Sequence, residues 1–109
     1  MNNNLPIEIQ QLIANYEPEK VILFGSHADG TSDEHSDFDF LIIKETETPR
    51  LLRRGEALKN ARRTVPLDLI ILTPAELHVL QAAGVELILQ ILETGKTIYE
   101  RDKSMVEFH

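Results

Sequence analysis

Val21-Ile22-Leu23-Phe24-Gly25-Ser26 leads, across ten intervening residues, into Asp37-Phe38-Asp39-Phe40-Leu41-Ile42-Ile43. These two runs decide the fold. Residues 20–24 are β-branched and apolar, are bounded by Gly25, and read as a buried strand. Residues 38–43 read as a second strand. Its faces, Phe38/Phe40/Ile42 and Asp39/Leu41/Ile43, are both mainly apolar, which predicts a central place in a sheet. Residues 25–37 between them are rich in Gly, Ser, Asp and Thr, too polar for a core. They read as a functional loop with one helical turn starting at Ser26.

Outward from this centre, strands and helices alternate. Leu5, Ile9, Leu12, Ile13 and Tyr16 fall at helical spacing, and Pro18 ends that amphipathic helix. Thr48-Pro49 opens another helix, with Thr48 as N-cap, running to about Arg63. Residues 65–72 form a third strand, apolar except for Asp68. Thr73 and Glu76 have capping-box spacing and start a helix that ends near Gly84. Residues 85–94 make a strongly apolar helix stopped by Gly95 as a C-terminal cap. Residues 96–100 add a short last strand. The fold class is therefore α+β, an α/β sandwich around a small mixed sheet with flanking helices. The chain is expected to be one domain over residues 1–100, followed by a polar tail over 101–109.

Composition narrows the function. The chain has 109 residues, no cysteine and a formal net charge of −7. Disulfides and Cys-based zinc sites are excluded, which agrees with a reducing cytoplasm. The acidic balance speaks against direct nucleic-acid binding. No apolar run reaches the length of a membrane span, and the polar start lacks the pattern of a signal peptide. The charge is uneven. Residues 29–47 hold seven acids and one base, whereas residues 50–63 hold six bases and one acid. The first cluster suggests a cation site, the second a phosphate or an acidic partner.

Three carboxylates stand where structural residues belong. Asp37 and Asp39, at i and i+2, share one face of a strand. Asp68 shares its face with Ile70 and Leu72. An ionised carboxylate among apolar neighbours is costly without a cation, and two close carboxylates repel. A bound divalent metal removes both problems, and hard oxygen ligands suit Mg²⁺ shared with phosphates. Gly25 lets a ligand approach the backbone, and Ser26 offers a hydroxyl beside free helix amides. His27 and His35 flank the same loop within reach of a phosphate. The Walker pattern is absent.

Gly25-Ser26, ten residues, then Asp37-x-Asp39, in this strand context, resembles the signature of the DNA polymerase β-like nucleotidyltransferase superfamily. The short chain, the later strand carrying Asp68, and the ending Leu87-Ile88-Leu89-Gln90-Ile91-Leu92-Glu93-Thr94-Gly95-Lys96-Thr97-Ile98-Tyr99-Glu100 resemble its minimal (MNT) branch, so the likeness covers nearly the whole sequence. The resemblance implies the nucleotidyltransferase fold. It implies metal-dependent transfer of AMP from ATP to a hydroxyl, a tyrosine, of a partner HEPN toxin, with this chain as antitoxin in a hetero-oligomer. In that family's pattern Gly25 and Ser26 hold the triphosphate. Asp37, Asp39 and Asp68 ligate two Mg²⁺ ions, and Asp68 helps activate the incoming hydroxyl. One residue departs from the pattern: Asp29 stands where relatives carry Arg. Arg53 or Arg54 is a candidate to compensate. The alternative is a non-catalytic antitoxin that masks its toxin by binding.

Overall fold

The computed structural model of the chain describes residues 5–33 and 35–101. In order, it comprises α1 (Ile7–Tyr16), β1 (Lys20–Phe24), α2 (Ser26–Asp29), β2 (Phe38–Ile43), α3 (Arg50–Ala57), β3 (Leu67–Leu72), α4 (Pro74–Ala82), α5 (Glu86–Thr94) and β4 (Lys96–Glu100). The four strands form one mixed sheet in the order β3-β2-β1-β4. β1 runs antiparallel to both β2 and β4, while β2 and β3 are parallel. This is the small mixed sheet with flanking helices that the alternation of patterns implies, and β2 is internal as its two apolar faces require.

Both faces of the sheet are covered. Val21, Leu23, Phe40, Ile42 and Ile71 pack with Ile9 and Leu12 of α1 and with Ala57 and Leu58 at the end of α3. Ile22, Leu41, Ile43 and Leu72 pack with Ile88 and Ile91 of α5. Period-two alternation along β2 thus sends Phe40 and Ile42 to one layer and Leu41 and Ile43 to the other. Gly95 does not end α5 by a left-handed turn, since its φ is −70°. It is required because a Cβ there would press on Ile22 and on the carbonyl of Ile91, both at 2.6 Å. Among the described residues no single helix is long and apolar enough to cross a membrane.

Two boundaries differ from the sequence expectation, for one reason. α3 stops at Ala57 rather than near Arg63, and β3 starts at Leu67 rather than Val65. Glu8, fully buried in α1, accepts hydrogen bonds from the Thr64 and Val65 amides and from the Thr64 hydroxyl. Gln11 accepts from the Arg62 amide at 2.8 Å. α1 therefore holds residues 62–65 outside the helix, satisfying amides that a longer helix would have used itself. Thr48 is not a cap either: Pro49 is the N-cap residue, and the Thr48 hydroxyl donates to Glu56. The Thr73/Glu76 capping box at α4 is formed. Of the expected polar tail, residues 102–109 lie outside the described residues; the Arg101 amide donates to Glu19.

Candidate active site

Parallel pairing of β2 with β3 sets Asp39 opposite Asp68. Both side chains lie on the face that carries Leu41, Ile43, Ile70 and Leu72, the α5 side of the sheet. They sit where the helical cover ends. The Asp68 carboxyl is the neighbour that acts on Asp39 both as a charge and as a side-chain hydrogen-bonding group. Partial burial, then the charge and hydrogen bond of Asp68, then the charge of Asp37, raise the Asp39 carboxyl above the ordinary range; His27 opposes this in part.

Asp37 shares this face but precedes β2 and is exposed. Among the described residues no three acidic, histidine or cysteine side chains converge tightly enough to hold one ion. Two of the three sequence-selected aspartates are brought together in register, and Asp37 adds its charge to the field at Asp39. Asp68 also differs from expectation. It is exposed at the open end of an edge strand, so the desolvation foreseen for it falls on Asp39 instead.

Gly25 closes the site from β1. It follows Phe24, whose register partner is Asp39. Its φ of +79° is a left-handed value that disfavours other residues, and a Cβ there would collide with the Asp39 carboxylate. This bend starts α2, whose first backbone bond is from the Ala28 amide to the Gly25 carbonyl. The Ser26 and His27 amides precede it and have no partner within the helix. Beside Gly25 opens a cleft of about 310 Å³, walled by Phe24, Ala28, Leu87 and Ile91, with Asp29, Gln90 and Thr94 as polar groups.

The structure also settles what stood near the signature. Asp29 turns back onto its own loop, accepting from the Thr31 amide at 3.0 Å and the Thr31 hydroxyl at 2.6 Å, and these bonds lower its carboxyl. Arg53 is not available to a phosphate. It is buried, with its guanidinium on Glu76 at 2.6 and 3.0 Å, on the Ile71 carbonyl and, through Nε, on the Thr48 carbonyl. Sequence reasoning missed the place of His27, which stacks on Phe38 with centroids 3.6 Å apart while its Nε2 donates to the Ser36 carbonyl at 3.1 Å. That stack pins the segment carrying Asp37 to the start of α2. No sequence period pairs a helix-start histidine with a strand phenylalanine eleven residues on.

Comparison with known proteins agrees with this arrangement. A family model described as polymerase beta, nucleotidyltransferase matches residues 8–104. A Methanocaldococcus jannaschii protein named "putative protein adenylyltransferase" is 34% identical over 88 residues, covering 75% of this chain. The chain spans 58% of that relative's length. The crystal structure of a "putative nucleotidyltransferase" from Sulfolobus solfataricus superposes with a TM-score of 0.59 at 20% identity, over 88% of this chain and 77% of the other. A crystal structure of a toxin-antitoxin with AMP-PNP gives a TM-score of 0.55 at 21% identity, over 89% and 74%. At these identities the two structures share the fold.

Proposed function

Since this chain belongs to the polymerase β nucleotidyltransferase family, we propose that it is an adenylyltransferase that moves AMP from ATP onto a hydroxyl of a partner protein, and that it serves as an antitoxin in the cytoplasm. The observation that carries this is the Asp39–Asp68 register pair beside Gly25, two aspartates set opposite each other next to a backbone bend that admits no side chain. The naming of the archaeal relative supports transfer to protein. The toxin-antitoxin fold neighbour supports a toxin as the partner. A HEPN-type toxin and a tyrosine acceptor are the finer form of the proposal.

The donor set fits a hard divalent cation. Burial and the neighbouring Asp68 charge disfavour the ionised form of Asp39, and Asp37 adds a further negative charge from outside the pair. Mg²⁺ ordinarily takes one or two carboxylates and completes its shell with phosphate oxygens and water. Asp37, Asp39 and Asp68 would hold it. When bound, two such ions would supply Lewis-acid neutralisation of the α-phosphate and of the departing pyrophosphate.

The chain's own residues do the rest. The Ser26 hydroxyl and the Ser26 and His27 amides bind triphosphate oxygens at Gly25. The cleft against α5 takes the nucleoside, with Phe24, Leu87 and Ile91 as an apolar wall and Gln90 able to meet the base edge. Asp68, exposed on β3, accepts the proton of the acceptor hydroxyl. That oxygen attacks the α-phosphorus in line, the bond to the bridging α–β oxygen breaks, and pyrophosphate leaves with the electron pair.

The test uses ATP labelled at the α or the γ phosphate, with Mg²⁺ and the product of the neighbouring gene as the candidate partner. Label from the α position alone on the partner establishes nucleotidyl transfer. Label from the γ position would mean phosphoryl transfer and refute it. Tight binding with neither label would replace it with the masking antitoxin.

A further inference from the structure

β3 is an edge strand, and no strand among the described residues pairs with its outer side. The parallel ladder alternates. The Phe38 amide donates to the Pro66 carbonyl and the Lys44 amide to that of Leu72, so residues 66, 68, 70 and 72 turn their backbone groups towards β2. Leu67, Leu69 and Ile71 turn theirs outward. Arg53 covers the Ile71 carbonyl at 3.1 Å, which leaves Leu69, with Leu67 before it and the Ile71 amide after it, facing outward along the edge. Over this edge lies a groove of about 370 Å³. One wall carries Arg50 and Arg54 of α3, and the other carries Leu80, Val85 and Leu87. Large apolar side chains stand exposed on the same elements: Leu51 is 96% exposed and Val79 62%.

We propose that the hydroxyl-bearing partner docks here, as an extended acidic and apolar segment that adds a fifth strand beside Leu69. This rests on the reading above that the acceptor is a protein. Alternate side chains of an added strand point to opposite faces. One set would meet Leu80, Val85 and Leu87. The other would meet Arg54 and Arg50, the latter also 3.9 Å from the Glu76 carboxylate, two bases on a chain whose net charge is −7. The position opposite Asp68 would then bring a side chain about 5 Å from it, on the face where the aspartates lie. Docking and presentation of the hydroxyl become one event. A second copy of this chain fits the groove less well, because a two-fold contact would set Arg50 and Arg54 against their own equivalents.

The probe is a random copolymer of glutamate, alanine and tyrosine, added without nucleotide to the wild type and to the Asp37→Asn/Asp39→Asn variant, so that binding is read apart from catalysis. Expected are binding to both, slowed amide hydrogen exchange at Leu69, and affinity weakened about tenfold or more by Arg50→Glu/Arg54→Glu. Unchanged exchange at Leu69 under saturating copolymer, or equal binding by the charge-reversed variant, overturns the proposal. So does slow Leu69 exchange in the protein alone with the mass of a dimer, which would assign the edge to a second copy. Binding as expected, with no transfer in the label experiment, supports the docking surface while refuting the enzymatic reading.

Discussion

Asp39 and Asp68 face each other across the parallel β2–β3 register, and burial and then the neighbouring Asp68 carboxyl raise the Asp39 carboxyl. A carboxyl raised on folding stabilises the fold while protonated, and that contribution is lost as pH rises through its folded value. At neutral pH the pair is therefore a liability in the metal-free protein. Asp39→Asn is expected to raise the melting temperature in EDTA at pH 7 by roughly 2–5 °C, with the advantage shrinking towards pH 4. Mg²⁺ is expected to raise it in the wild type and not in Asp37→Asn/Asp39→Asn. An equal Mg²⁺ response in both proteins would put the ion elsewhere.

Gly25 combines a positive φ with a close approach to Asp39. Gly25→Ala adds a left-handed strain of about 1 kcal/mol or more and drives a methyl group into the Asp39 carboxylate. We expect moderate destabilisation in urea titration, and transfer activity lost well beyond what the residual folded fraction explains. Wild-type turnover by a folded Gly25→Ala protein would mean that Asp39 does not work where the structure holds it.

The Arg53–Glu76 pair is a matter of stability, not catalysis. The Arg53 guanidinium, then the Thr73 amide, hold the Glu76 carboxyl down at about 2 from an ordinary 4.5. A depressed carboxyl stabilises the fold above its unfolded value, and that stability is lost as pH falls from 4.5 towards 2. Discounted for the partial exposure of Glu76, this amounts to about 1–2 kcal/mol at neutral pH. Glu76→Gln should lower stability by that amount at pH 7 and by little at pH 2, with the KM for ATP unchanged. A raised KM would restore Arg53 as a nucleotide ligand.

The fold was largely legible because its signals are local and redundant. Residues 20–24 and 38–43 are apolar on both faces, Thr73 and Glu76 announce α4, and Pro18 stops α1. What was not legible depends on contacts distant in sequence. Nothing in residues 58–66 says that Glu8, over fifty positions away, will take the Thr64 and Val65 amides and end the helix. The candidate site divides in the same way. Asp37-x-Asp39 shows a shared face by period alone. The register that sets Asp68 against Asp39, and the turn that folds Asp29 onto Thr31, exist only in three dimensions.

Asp29 replaces the arginine of the family's pattern, yet its carboxylate is engaged with Thr31 and it is exposed. Asp29 lines the cleft beside Gly25, but Asp29→Ala is expected to change the KM for ATP by less than about threefold, since an exposed carboxylate bonded to its own loop is screened by salt. A fall of tenfold or more would show that the acid repels the triphosphate, and would move the account towards the masking antitoxin.

The most direct measurement is the intact mass of the partner toxin after incubation with this protein, ATP and Mg²⁺, with Asp37→Asn/Asp39→Asn as control. The account predicts the added mass of AMP with the wild type and none with the variant. An unmodified partner, or equal modification by both proteins, would contradict it.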